Sequence, residues 1–238
     1  ICGKFSEHDV FFLHFTLPQA PSETVRTQAP GISRYVSPRF LPAFEMECDA
    51  LKLVRKRFGL DNLQLMIPFC RTPEEGRAVR GLLEDRGLGE QAGVPLFLMI
   101  ELPSNVIEAN RFIDEMGLDG GSIGSNDLVQ TVYAVSRDDL ENYEHPVDAR
   151  SSAVKAMIKS AVQSFRQRGL EIGICGQAPS DHPDEIPSFL VECGISSMSV
   201  TPDTAVQVRL AVAKAEAELS EREAEGSADP TEDGLGVA

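Results

Sequence analysis

From about residue 44 the chain alternates short apolar runs with stretches in which apolar residues recur every three or four positions. That alternation predicts repeated βα units and a parallel sheet. The apolar runs predict strands at residues 64–69, 95–101, 121–125, 171–175 and 196–200. Between them, Ser104 is positioned to cap a helix carrying Val106, Ile107, Phe112 and Ile113, which Gly117 closes. Val154, Met157, Ile158, Ala161, Val162 and Phe165 form the apolar face of a helix closed by Gly169. Pro183, after Asp181, suits the first position of a helix ending before Gly194, and Asp203 starts a last helix that carries Val206, Leu210 and Val212 before fading into charge.

The two ends lack this periodicity. Near the start, F-F-L-H-F reads as one short strand, followed by a polar loop, and the tail rich in Glu, Gly, Asp and Ala has too little apolar surface to order itself. The expected division is an atypical segment at 1–30, a domain at 31–219 and a disordered acidic tail at 220–238. The fold class is α/β. Its expected form is a (β/α)8 TIM-type barrel incomplete at its N-terminal side, since six strands can be found and eight are needed to close one. A doubly wound open sheet is the runner-up, although the G-x-G-x-x-G of its dinucleotide-binding subtype is absent.

Composition narrows the function classes. With 238 residues and 42% apolar content, one core of useful size can form. Acidic residues number 37 against 22 basic, a net charge of -15, and no local basic patch stands out. Nucleic acid and anionic membrane are therefore not expected partners. Five scattered cysteines (Cys2, Cys48, Cys70, Cys175, Cys193) without a C-x-x-C pair fit reduced thiols in a cytoplasmic protein. No apolar run approaches the ~18 residues of a membrane span, and no leader pattern opens the chain. It begins at Ile1, as a fragment or processed form would.

In a parallel barrel every strand delivers its last residue to one rim, so strand ends are the informative positions. Glu101 follows the run P-L-F-L-M-I, and Asp127 follows one βα unit later. Two hard carboxylates from neighbouring strands suit Mg²⁺, which keeps other positions for water and substrate oxygens; capping the next helix is the simpler role for either residue alone. Gly124, Ser125 and Asn126 add backbone access and polar groups that suit a carboxylate or phosphate, or make an ordinary polar turn. Arg71, at another strand end, offers a planar fork for phosphate or is a plain surface arginine. Cys175 lies between Gly173 and Gly176, where little bulk crowds its sulfur. A thiol there can exchange a proton at carbon or act as a nucleophile, with Asp181 and His182 close behind it in sequence.

Six strings, in order, carry a resemblance: S-R-Y-V-S-P-R-F (33–40), L-M-I-P-F-C-R-T (65–72), I-E-L-P-S-N (100–105), G-S-N-D-L-V-Q (124–130), G-I-C-G-Q-A-P-S-D-H (173–182) and S-V-T-P-D-T (199–204). Together they resemble the phosphoenolpyruvate synthases (pyruvate, water dikinases) over about residues 31–213. The resemblance implies a C-terminal barrel that binds phosphoenolpyruvate and pyruvate. It would receive a phosphoryl group from a phosphohistidine on a swivelling domain, itself charged by an ATP-grasp domain. It implies Glu101 and Asp127 as ligands of a Mg²⁺ cofactor, Asn126 and its neighbours on the substrate, Arg71 on phosphate, and Cys175 exchanging a proton with the methyl carbon of pyruvate.

Departures accompany the resemblance. The family carries G-x-R-G before S-R-Y, whereas this chain has Q-A-P-G, with Pro30 at the arginine position. No T-S-H phosphohistidine motif or ATP-binding domain is found in these residues, so those domains are expected in trans or in a longer parent chain. A homodimer is left open. The alternatives are a regulatory or inactive phosphoenolpyruvate-binding fragment, and a Mg²⁺-dependent aldolase or lyase acting through a pyruvate enolate.

Overall fold

A computed structural model of the protein describes residues 12–14, 31–135 and 147–226. Cys2, Pro30 and the segments around them, with most of the expected acidic tail, lie outside the described residues. Six strands, β1 (Phe12–His14), β2 (Gln64–Ile67), β3 (Leu96–Ile100), β4 (Gly120–Gly124), β5 (Glu171–Cys175) and β6 (Ser197–Met198), form one parallel sheet in chain order. A doubly wound sheet reverses its order at a switch point; this one does not. The result is an α/β fold with the topology of a partial (β/α) barrel, and among the described residues no pairing joins β6 back to β1.

The helices are α1 (Leu41–Phe58), α2 (Pro73–Asp85), α3 (Pro103–Ile107), α4 (Ala109–Met116), α5 (Ser125–Tyr133), α6 (Ser152–Gln167), α7 (Ala178–Asp181), α8 (Ile186–Cys193) and α9 (Ala205–Gly226). Leu65, Ile67, Leu96, Leu98, Ile100, Ile123, Ile172 and Ile174 alternate onto one face of the sheet, which the helices cover with Val79, Leu83, Phe112, Val154, Ile158 and Phe165. Burying each such side chain contributes about 1.5–3 kcal/mol. The Gly120-Gly121 pair lets β4 accept an aromatic ring on each side. A Cβ at Gly120 would lie 2.3 Å from the Phe97 ring, and one at Gly121 would lie 2.9 Å from the Phe165 ring.

Several local expectations change. The helix expected from Ser104 to Gly117 is two helices broken at Glu108, which leaves Ile107 exposed. It begins after Leu102 rather than Ser104, because Asn105 turns its side chain back onto the preceding backbone. Pro183 does not open a helix: α8 starts at Ile186, with Pro187 in its first turn. On α9 Val208 and Ala215 are buried and Val212 packs half-buried against the core, whereas Val206 and Leu210 face solvent. That helix also continues to Gly226, past the boundary expected at 220. The closures at Gly117, Gly169 and Gly194 stand, each with a positive φ.

Candidate functional site at the strand-end rim

Alternation along the strands decides which side chains meet. Met66, Phe97 and Met99 share the sheet face away from the helices, with Cys175 packed against them. A period of two carries Glu101 onto that face after Phe97 and Met99, and Gly124 after Ser122. The register places Gly124 directly beside Cys175. Three strands thus converge on one rim.

Glu101 is 1% exposed. Its Oε1 accepts a hydrogen bond from the Phe69 N–H at 2.6 Å. Room for the rest of the carboxylate comes from Gly124, where a Cβ would stand 3.1 Å from Oε2 and 3.2 Å from the Glu101 Cβ. Burial pushes the carboxyl up to about 8; the Phe69 N–H opposes that, and the negative Asp127 adds to it. Asp127, on the first turn of α5, accepts a hydrogen bond at Oδ1 from Gln130 Nε2 at 2.9 Å. It does not cap α5, since Gly124 holds the N-cap position and no side chain caps it.

Cys175 is half-buried, with its sulfur 3.5 Å from the Met99 sulfur. Burial raises its thiol pKa, a hydrogen bond with Ser122 lowers it, and the charges of Glu101 and Asp127 raise it further. The protonated thiol is therefore favoured. Gly124 links these groups: it packs against Glu101, pairs with Cys175 across the sheet and precedes Asp127 by three residues. Ser125, predicted to touch substrate, donates its hydroxyl proton to the Cys175 carbonyl at 2.8 Å and ties β4 to β5. Asn126 uses its Oδ1 to accept the Gln177 N–H at 3.2 Å.

Arg71 stands at the end of β2, near this rim. Its backbone N–H donates to Glu75 Oε2 at 3.0 Å, and its Nη1 lies 3.8 Å from Glu75 Oε1, beyond hydrogen-bond reach. That Nη1 is buried and has no hydrogen-bond partner among the described residues. Behind it sits Gly31 at φ 103, where a Cβ would come within 2.9 Å of Nη1 and 2.5 Å of the Phe69 carbonyl oxygen.

Two features escape a reading of strand ends alone. Asn105 is fully buried: its Oδ1 accepts from the N–H groups of Glu101 (3.3 Å) and Leu102 (3.0 Å), and its Nδ2 donates to the Cys70 carbonyl at 2.6 Å. It ties the ends of β2 and β3 together. The signal was a polar residue one turn past a strand end and just inside a Pro-led helix. The second is the run K-L-V-R-K-R at 52–57, a local basic patch that the overall charge conceals. His182 and Asp181 do stand near the rim, but they line an open cleft of about 110 Å³ that also includes Asn126 and Gln177, not Cys175. His182 Nε2 lies 3.6 Å from Asp148 Oδ2.

Glu101, just past β3, and Asp127, on the first turn of α5 after the adjacent β4, are hard oxygen donors, a donor type suited to a hexacoordinate cation that keeps water or ligand oxygens. Among the described residues no group of three or more His, Cys, Asp and Glu side chains could hold a metal ion.

Comparison with known proteins gives this geometry a family. Residues 29–217 match the family described as PEP-utilising enzyme, PEP-binding domain. The phosphoenolpyruvate synthase of Aquifex aeolicus is 46% identical over 190 residues, covering 79% of this chain and 22% of that protein. Those of Helicobacter pylori (46% over 192 residues, 80% and 23%) and Escherichia coli (43% over 186 residues, 77% and 23%) match similarly. The chain thus spans under a quarter of the length of these relatives. It belongs to the PEP-utilising enzyme family, of which it carries the phosphoenolpyruvate-binding domain.

Proposed function

We propose that this domain binds pyruvate and phosphoenolpyruvate at the rim formed by Glu101, Asp127 and Cys175, as the acceptor half-site of a phosphoenolpyruvate synthase built on an incomplete (β/α)8 barrel. The phosphoryl donor is a phosphohistidine on another domain. The observation that carries this reading is that Glu101 packs against Gly124, whose neighbour across the sheet is Cys175, in a chain that matches the synthases over most of its length.

Phosphorylating pyruvate at its carbonyl oxygen requires an enolate, and therefore a group that moves a proton at the methyl carbon. Cys175 is that group. Its protonated thiol suits delivery of a proton to the enolate carbon, and its thiolate removes one in the opposite direction. Glu101 and Asp127 would hold Mg²⁺, which would supply positive charge to stabilise the developing enolate. Asn126 and the backbone at Gly124 orient the substrate. Arg71, whose buried Nη1 has no hydrogen-bond partner among the described residues, takes the phosphate. The sheet face under Cys175, formed by Met66, Phe97 and Met99, excludes water from the carbon where the proton moves.

Exchange of pyruvate methyl protons for deuterium, followed by NMR, tests this reading. Wild-type protein with Mg²⁺ exchanges them, and Cys175→Ala does not. Absence of exchange in wild type, even with inorganic phosphate or oxalate added, overturns the catalytic role. Pro30, where the family carries arginine, favours a second reading in which the rim binds phosphoenolpyruvate without turnover. Calorimetric binding without proton exchange is its signature.

A further inference from the structure

The basic run on α1 lies at the opposite end of the sheet from the rim. Helix α1 leads into the start of β2 and α2 leads into the start of β3, so the ends of these helices gather where the strands begin. Lys52, Arg55 and Lys56 stand at i, i+3 and i+4, and so share one helical face. They line an open cleft of about 260 Å³ whose far wall includes Leu88 and Ala92. Asp61 is the one acid among the lining residues. In a chain of net charge -15, three cations around one hollow are a local inversion of sign.

The guanidinium of Arg55 is oriented across this hollow. Its Nη1 donates to the Ala92 carbonyl at 2.8 Å, which fixes the plane of the group. Its Nε is buried and has no hydrogen-bond partner among the described residues. The Nε–Nη2 edge is the side of an arginine that presents two parallel N–H groups to an oxyanion. Lys52 leans on Asp49, with 2.6 Å between Nζ and Oδ1, but that carboxylate is 64% exposed and such surface pairs are weak. Lys52 can therefore turn toward a charge in the cleft at little cost. A cation-rich last turn also favours the helix C-terminus, yet that role needs no hollow and no oriented guanidinium.

We propose that this cleft is a second, distal site that binds a small phosphate-bearing anion, with the Nε–Nη2 edge of Arg55 gripping two phosphate oxygens and Lys52 and Lys56 supplying charge. Its volume lies below the ~300 Å³ at which drug-sized pockets begin, so the ligand is an inorganic phosphate ion or the phosphoryl group of a small metabolite rather than a nucleotide. The site is independent of the rim chemistry, because its residues come from the other end of the strands.

The test is an NMR titration of the full chain with inorganic phosphate, following backbone amides and the Arg55 Nε–H. Two sets of saturable shifts are expected, one at residues 52–61 and 87–92 and one at the rim, of which Arg71→Ala removes the rim set while leaving the distal one intact. Arg55→Lys, which keeps the charge but loses the fork, weakens the distal site by roughly tenfold. Asp61→Asn, at an exposed position, tightens it severalfold and keeps the test decisive should the Arg55 variant fold poorly. Competition by glycerol 3-phosphate at the same amides assigns the site to a metabolite's phosphoryl group, and its failure to compete assigns it to the free ion. Shifts that do not saturate, that map only to the rim, or that are unchanged by both Arg55→Lys and Asp61→Asn overturn the proposal.

Discussion

The Phe69 N–H donates to Glu101 Oε1 at 2.6 Å, and Phe69 adopts a φ of 46 to aim it. A bulky residue rarely occupies the left-handed region, and holding it there costs about 1–3 kcal/mol. The surrounding chain secures this conformation: the Phe69 carbonyl receives the Ile32 N–H at 3.5 Å and lies against Gly31. The β2–α2 loop is thereby bent so that backbone, not a side chain, steadies a buried carboxylate.

Gly31 is the point where this arrangement should fail first. Gly31→Ala places a Cβ 2.5 Å from the Phe69 carbonyl oxygen and requires a φ of 103 that alanine resists. Backbone strain of about 1–2 kcal/mol and overpacking of about 1–3 kcal/mol add to an expected loss of about 2–5 kcal/mol. Gly59→Ala is the control, since its φ is 66 but nothing lies within 4 Å of the new methyl; it should lose only the strain. Urea unfolding of both variants measures the difference. Equal losses would remove the argument that Gly31 supports the rim by close packing.

Asn105 separates support from contact with ligand. Asn105→Ala strips partners from two N–H groups and one carbonyl at the ends of β3 and β2. Each buried group left without a partner costs about 1–3 kcal/mol, so a loss of about 3 kcal/mol or more in urea unfolding is expected. Asn126→Ala removes one bond to an exposed backbone N–H and should cost less than about 1 kcal/mol. Its effect should fall on phosphoenolpyruvate affinity instead, measured by calorimetry. A stability loss at Asn126 as large as that at Asn105 would contradict this division.

The contrast between these asparagines shows what was legible in the sequence. Asn126 sits in a polar string at the end of an apolar run, so period-two alternation and strand ends find it, as they find Glu101, Asp127 and Cys175. Asn105 acts three and four residues back along its own chain and across to Cys70, and no periodicity records such a contact. The same limit explains α9: Val206, Val208, Leu210 and Val212 recur every second residue, a spacing that marks no single helical face, and packing against α8 decides that Val208 faces inward. Glu108 breaks the helix between α3 and α4 without proline or glycine to announce it. Strand existence and order were readable because each apolar run is short and bounded; helix rotation depends on neighbours far away in sequence.

The cysteines should react in an order set by burial. Cys70 is fully buried, and burial pushes its thiol up to about 12; that of Cys48 is pushed to about 11. Cys175 is half-buried at the rim. Iodoacetamide at mildly alkaline pH, followed by peptide mass spectrometry, should label Cys175 before Cys70 and Cys48. Because the folded Cys70 pKa stands above its ordinary value of 9.0, its neutral thiol favours the folded state fully below pH 9. That contribution is lost as pH rises from about 9 to about 12. Cys70→Ser, a hydroxyl that does not titrate there, should flatten the alkaline limb of the stability curve. An unchanged limb would show that Cys70 does not control it.

If the rim carboxylates hold Mg²⁺ as proposed, they make opposite demands on the metal-free and the metal-bound domain. Glu101 is buried beside the charge of Asp127, so without a cation its ionised form opposes folding. Glu101→Gln keeps an oxygen to accept the Phe69 N–H while removing the charge, and should leave the metal-free domain as stable as wild type or more so. Adding Mg²⁺ should reverse the ranking. A ligand that binds only the folded state at a hundredfold excess over its Kd stabilises by about 2.7 kcal/mol, so wild-type Tm should rise while Glu101→Gln and Asp127→Asn stay flat. Ca²⁺, larger and tolerant of more ligands, should raise Tm less if two carboxylates and a compact rim set the preference. Thermal unfolding with and without each ion reads all of this from one set of samples. An equal Mg²⁺ response in wild type and Glu101→Gln would place the cation elsewhere and leave the rim carboxylates with a structural role alone.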